Sequence, residues 1–250
     1  MTPSDPAAAF DGAAAAALYD AARPGYPAEA IEWALPGLAR VILDLGAGTG
    51  KLTAALAAPG RRIIAVDPAG AMLDRLREAH PQAETRIGTA ERTGLAASIV
   101  DAVVVGAAFH WFSRPAADAE IARVLRPAGP AALLWNPLDP EQALFAPFAD
   151  VRRRHGLPAA EYDPSISLNE RWFEPTQRAE FVHQEQITVD RYVEQLASRS
   201  YVLNLPGPAR EEALAHAREV AGAHAAAGQV VVRYRTTVLR ARRRAPAPPG

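Results

Sequence analysis

Residues 41–67, VILDLGAGTGKLTAALAAPGRRIIAVD, constrain the fold more than any other stretch of the chain. Residues 41–45 form an apolar run broken only by Asp44, the pattern of a strand buried on both faces. Gly46, Gly48 and Gly50 follow. Glycine lets the backbone turn sharply and lets a ligand approach where a Cβ would stand in the way. Leu52, Ala55 and Leu56 then fall at i, i+3 and i+4, which gives a helix one apolar face. Residues 63–66 are a second buried run, closed by Asp67. Strand, glycine turn, helix and strand make a right-handed parallel unit that holds ligands at the carboxyl ends of its strands. Asp67 falls at such an end, where a carboxylate can accept both hydroxyls of a ribose.

The glycine spacing discriminates between ligands. G-A-G-T-G brings the third glycine one place earlier than the G-x-G-x-x-G dinucleotide fingerprint, and Lys51 stands where that fingerprint wants glycine. Asp44, two residues before the first glycine, suits a cofactor with an ammonium group and no phosphates. Both features favour S-adenosylmethionine over a nicotinamide dinucleotide. The plain alternative is a βαβ turn that binds nothing.

Composition narrows the rest. The chain has 250 residues, enough for one α/β domain with an elaboration. A net charge of -1 gives no general pull toward nucleic acid or an anionic membrane. The absence of cysteine excludes disulfides, thiolate metal sites and a cysteine nucleophile. No apolar stretch approaches the ~18 residues of a spanning helix, and a cytoplasmic protein is expected. Neither an H-x-x-x-H pattern nor clustered carboxylates suggest a metal.

Along the chain, residues 6–20 and 28–35 read as helices flanking a turn cluster, Arg23-Pro24-Gly25-Tyr26-Pro27. After Asp67 come a helix with Met72, Leu73 and Leu76 on one face, then strands over 84–88, 100–107 and 131–135, with a helix over 116–125. This βα rhythm implies a doubly wound parallel sheet. It breaks after residue 135. Residues 141–155 read as a helix, 157–176 as irregular, 181–189 as a strand, 191–199 and 210–224 as helices, and 230–239 as a final strand. The expected organisation is a helical lid over 1–36, a cofactor-binding core over 37–139, a substrate-pocket elaboration with terminal strands over 140–240, and a disordered Arg/Pro/Ala tail over 241–250.

Several motifs together resemble the class I S-adenosylmethionine-dependent methyltransferases, in the branch of trans-aconitate methyltransferase-like small-molecule enzymes. They are R-P-G-Y-P (23–27), D-L-G-A-G-T-G (44–50), V-D-P (66–68), A-E (90–91), F-H-W-F (109–112), L-R-P-A-G (125–129) and W-N (135–136). The glycine motif is common to the superfamily; R-P-G-Y-P with F-H-W-F is narrower. Pro130 and Thr89 depart from the family pattern, and the second leaves the adenine contacts least defined. The resemblance implies a Rossmann-like seven-stranded sheet with the last strand antiparallel and a helical cap over the cleft.

It also implies roles. Gly46, Ala47 and Gly48 would pass beneath the cofactor. Asp44 would organise the turn, Asp67 would take the ribose with Pro68 beside it, and Met72 would pack on adenine. Ala90, Glu91 and Ala107 would complete that site, and Arg23 would close over the cofactor carboxylate with Tyr19 or Tyr26 alongside. His110 would meet the acceptor as base or hydrogen-bond partner, and Trp111 and Phe112 would wall the methyl site or pack the next helix. Tyr26, Trp135, Trp172, Arg199 and Tyr201 are further candidates for the acceptor pocket. The expected reaction is O-methylation of a carboxylate or hydroxyl on a small, possibly anionic molecule, releasing S-adenosylhomocysteine, by a monomer or homodimer with no nucleic-acid or membrane partner. A silent S-adenosylmethionine-fold binding protein is the alternative, and a nicotinamide dehydrogenase is disfavoured by the glycine spacing.

Overall fold

The computed structural model describes residues 20–245, apart from 21, 38, 160–162 and 164. Tyr19 and most of the expected first helix therefore lie outside the described residues. One seven-stranded sheet organises the rest, in the order β3-β2-β1-β4-β5-β7-β6. Its strands are β1 (Val41–Leu45), β2 (Arg62–Asp67), β3 (Glu84–Ile87), β4 (Ala102–Gly106), β5 (Pro130–Trp135), β6 (Gln177–Thr188) and β7 (Gln229–Arg242). β1 to β5 pair in parallel, and β7 runs antiparallel to both β5 and β6. The doubly wound sheet and its antiparallel last strand are as the sequence implied.

Apolar side chains alternate between the two faces of the strands, so each face has its own core. On one face Leu43, Val66, Val103, Val105 and Leu133 pack against α4 (Ala116–Val124) through Ala117, Ile121 and Val124. On the other, Ile42, Ile63, Val104 and Leu134 meet α1 (Ala28–Ala34) and α2 (Lys51–Leu56). α3 (Gly70–Ala79) buries Leu73 and Leu76 against Ala65 and Ala47. Both faces of the parallel strands are covered, which is why their sequences read as unbroken apolar runs.

β6 and β7 extend beyond β5 as a two-stranded ribbon, since β6 is the one named strand that residues 229–236 of β7 pair with. A third core covers this ribbon. Val230, Val232 and Tyr234 meet Phe148 and Val151 of α5 (Ala146–Arg154), Tyr192 and Leu196 of α6 (Val189–Ala197), Val202 of α7 (Ser200–Leu203), and Ala217 and Ala221 of α8 (Gly207–Ala223).

Two expectations need correction. The helix read over 141–155 is a 3-10 turn, Ala143–Phe145, followed by α5, because Pro147 lacks an N–H and fits only the first turn of a helix. The tail expected to be disordered from 241 is strand as far as Arg242, and backbone pairing carries on beyond it. The Arg243 N–H donates to the Gly129 carbonyl (2.9 Å), and the Arg244 N–H donates to that of Trp172 (2.9 Å). Backbone bonds of this kind ignore side-chain charge, so an arginine run does not forbid them. Residues 246–250 lie outside the described set.

Candidate functional site

A cavity of about 320 Å³ opens at the carboxyl ends of β1, β2 and β4. It lies where the strand order reverses between β1 and β4, the place a doubly wound sheet leaves a crevice.

Its floor is the glycine turn. Gly46, Gly48 and Gly50 all have positive φ (72°, 55° and 93°), a conformation side chains rarely adopt. Gly46 is also packed tightly: a Cβ there would lie 2.6 Å from the Ala108 Cβ, on the turn that follows β4. The N–H groups of Gly46 and Ala47 both donate to the Val66 carbonyl, which ties the turn to β2 (2.8 and 3.2 Å).

Two aspartates face this floor. Asp67 accepts the Gly48 N–H on one carboxylate oxygen (2.9 Å) and the Ala69 N–H on the other (2.8 Å). The carboxylate is thereby held still, and each oxygen keeps a second lone pair for a ligand hydroxyl. Burial pushes its pKa up, and the two N–H bonds oppose that. Asp44 is completely buried. One of its oxygens accepts the Thr53 hydroxyl (2.6 Å); the other has no hydrogen-bond partner among the described residues. Burial drives its pKa up to about 7, the Thr53 bond restrains the rise, and the nearby Asp67 charge adds to it.

The third wall follows β4. Ala107 holds a left-handed φ of 51° while its N–H donates to the Leu134 carbonyl (2.7 Å). A 3-10 turn, Phe109–Trp111, comes next. Phe109 is buried and meets Phe112 edge-on at 5.5 Å, which leaves Trp111 and Phe112 on the cavity wall. Glu91 fastens this turn to the loop after β3 by accepting the Ser113 N–H (2.7 Å). Tyr26 closes the remaining side, and a Cβ at Gly106 would sit only 2.8 Å from its hydroxyl.

Asp20 bridges the Thr49 hydroxyl and the Lys51 ammonium above the glycine turn, at 3.1 Å each. Residues 23–27 are slung from the far end of the sheet. The Asn136 amide donates to the Gly25 carbonyl (2.7 Å), while its oxygen accepts the Thr236 hydroxyl (2.8 Å) and lies 3.0 Å from His183 Nε2. His183 stacks on Tyr234 at 5.2 Å, and burial lowers its pKa.

Of the expected cofactor residues, Asp44, Gly46, Ala47, Gly48, Asp67 and Pro68 line the cavity, as do Met72, Ala90, Glu91 and Ala107. Arg23 does not line it and donates to the Ser198 carbonyl across a long 3.4 Å. Of the expected acceptor residues, Tyr26 and Trp111 line the cavity and the others do not. His110 is exposed on the outside of its turn, its ring 5.0 Å from that of Trp111. Trp135 is core beneath the sheet, and Trp172 carries the Arg171 guanidinium at 5.0 Å. Arg199 is buried over Phe148, and Tyr201 lies under Arg152. The described lining ends in sequence at Ser113, so no described residue of 140–240 reaches the cavity.

Sequence reasoning missed Asp20, Thr53 and Asn136. Asn136 stood inside a motif already recognised, and Thr53 sits on the buried face of the glycine-turn helix, where a hydroxyl invites a partner. Among the described residues no helix is long and apolar enough to cross a membrane, and no cluster of His, Cys, Asp and Glu is placed to hold a metal ion.

Comparison with known proteins agrees with this geometry. A methyltransferase-domain family profile matches residues 43–133, the span that carries the whole cavity floor. An uncharacterized methyltransferase of Mycobacterium tuberculosis is 40% identical over 212 residues, covering 85% of this chain and 86% of that protein. A methyltransferase-like protein of Schizosaccharomyces pombe is 32% identical over 81% of this chain and 82% of its own. A solved type II methyltransferase from Anaeromyxobacter dehalogenans superposes with a TM-score of 0.66 at 26% identity, covering 88% of this chain and 97% of that one. The chain belongs to the class I S-adenosylmethionine-dependent methyltransferases.

Proposed function

We propose that this chain transfers a methyl group from S-adenosylmethionine to an oxygen of a small molecule. The observation that carries the cofactor reading is Asp44: a buried carboxylate on the cavity floor with one oxygen lacking a partner. An unsatisfied buried acceptor is costly unless something completes it. An ammonium group does so, and a phosphate would be repelled. The glycine floor fits the same ligand, since the space a Cβ at Gly48 would claim is open.

Asp67 would hold the ribose hydroxyls on its remaining lone pairs, with Met72 and Ala90 beside the adenine. When bound, S-adenosylmethionine supplies a methyl group already activated on a sulfonium sulfur. The chain's own task is then to hold an acceptor in line and to exclude water. Trp111, Phe112 and Tyr26 supply the walls for this, and Glu91 keeps them in place through Ser113. The resemblance to trans-aconitate methyltransferase-like enzymes supports a small-molecule acceptor; it rests on R-P-G-Y-P and F-H-W-F.

Calorimetric titration with S-adenosylhomocysteine tests the reading. One-to-one binding is expected, weakened about tenfold or more (1.4 kcal/mol) by Asp67→Ala. A wild-type protein that does not bind would overturn it.

A further inference from the structure

Building on the methyltransferase reading, we infer that the acceptor is an uncharged, ring-bearing molecule and that the cavity rejects carboxylates. Once the glycine floor and its two aspartates are assigned to the cofactor, the lining that remains includes Tyr26, Ala107, Ala108, Trp111 and Phe112, together with the polar Glu91 and Ser113. Three aromatic rings and two methyl groups make a slot that flat apolar molecules fill well. It starts at the cofactor floor itself, because the Phe112 ring lies only 3.4 Å from where a Gly46 Cβ would be.

Charge points the same way. The charged residues lining the cavity are Asp44, Asp67, Glu91 and Lys51. The Lys51 ammonium is already paired with Asp20 at 3.1 Å. It also lies at the start of the helix that follows the glycine turn, in the part of the cavity assigned to the cofactor. An anionic acceptor would therefore face the Glu91 carboxylate with no described side-chain cation left to meet it.

Five arginines between residues 152 and 199 that could meet an anionic acceptor are committed elsewhere. Arg152 donates to the Pro158 carbonyl at 2.7 Å and covers the Tyr201 ring. Arg153 pairs with Asp150 and Arg154 with Glu212. Arg171 lies over Trp172 and Arg199 over Phe148. Each of these partners lies outside the cavity lining. Rejection of anions follows from unpaired like charge, a more effective discriminator than added contacts.

The test uses two probes of one shape, p-cresol and p-toluate, titrated by saturation-transfer NMR into the full chain saturated with S-adenosylhomocysteine. The expected result is p-cresol binding about tenfold tighter or better, and Glu91→Gln narrowing that ratio about threefold or more. Equal or tighter binding of p-toluate would overturn the inference, as would the failure of both probes to bind the loaded protein. Loss of S-adenosylhomocysteine binding in the same sample would instead overturn the methyltransferase reading, so the two failures are distinguishable.

Discussion

Two aspartates, each at most 1% exposed, show how differently the two halves of this molecule use a buried charge. Asp139, just past β5, accepts from Arg235 (2.9 Å), pairs with Arg233 (3.0 Å) and takes the Glu141 N–H (3.2 Å). Those partners outweigh burial and hold its pKa below the usual carboxylate range. Asp44, at the end of β1, faces no cation and has one hydroxyl partner, and its pKa is pushed up to about 7. Both side chains are buried, but Asp44 lies far deeper in the fold than Asp139, so depth and partners together decide the outcome. In the ribbon half the fold itself supplies partners to Asp139. In the cavity half one Asp44 oxygen has no partner among the described residues.

The contrast can be broken hardest at Gly46. Gly46→Ala places a Cβ 2.6 Å from the Ala108 Cβ at a φ of 72°. S-adenosylhomocysteine affinity, read by calorimetry, is expected to fall about a hundredfold or more (~2.8 kcal/mol). Asp139→Ala attacks the other half. Removing it takes that partner from two arginines; Arg235 keeps Glu141 and Glu180, and both arginines keep solvent contact, which lessens the penalty. Denaturant unfolding should show a loss of about 2 kcal/mol, below the cost of breaking a fully buried pair. Cofactor affinity should change little.

Asp44→Asn should shift stability in the opposite direction. The folded-state pKa of about 7 lies above the ordinary 3.8, so the folded chain keeps a proton that the unfolded chain gives up. Wild-type stability therefore falls as pH rises from about 4 to about 7 and then levels off. Asparagine removes that slope. Thermal melts at pH 8 should show the variant more stable by on the order of 1–2 kcal/mol, with weaker S-adenosylhomocysteine binding. A variant melting lower at pH 8 and higher at pH 5 would contradict the assignment. The smallest effect is expected at His110, which is exposed and outside the cavity lining. His110→Ala should reduce turnover less than about threefold without moving the pH–rate profile, whereas loss of a general base costs ~100-fold or more.

The parallel core was legible because strands buried on both faces leave apolar runs, and because Gly46, Asp44 and Asp67 mark their ends. The acceptor wall was only half legible. F-H-W-F named the right segment, but which ring faces inward depends on the 3-10 turn, and that turned His110 out and Phe112 in. Arg199 and Tyr201 show a second limit. An arginine beside aromatic residues reads alike whether it lines a pocket or lies over Phe148 inside the ribbon core. The full length of β7 was hidden because residues 240–244 pair through backbone groups that leave no side-chain periodicity.

The position of β7 has a consequence for biosynthesis. It is the last of the seven strands in sequence, yet it sits between β5 and β6. While the chain is being made, β5 presents a bare edge until residues 229–242 emerge, and β6 has no neighbour to pair with until then. The glycine unit can form early, since β1, β2 and β4 need nothing beyond residue 106 to pair with one another. A newborn chain can thus shape its cofactor floor well before its sheet is closed, and an open β5 edge is a site for mispairing with another chain. Ribosomes that stall between residues 135 and 229 would release such a species.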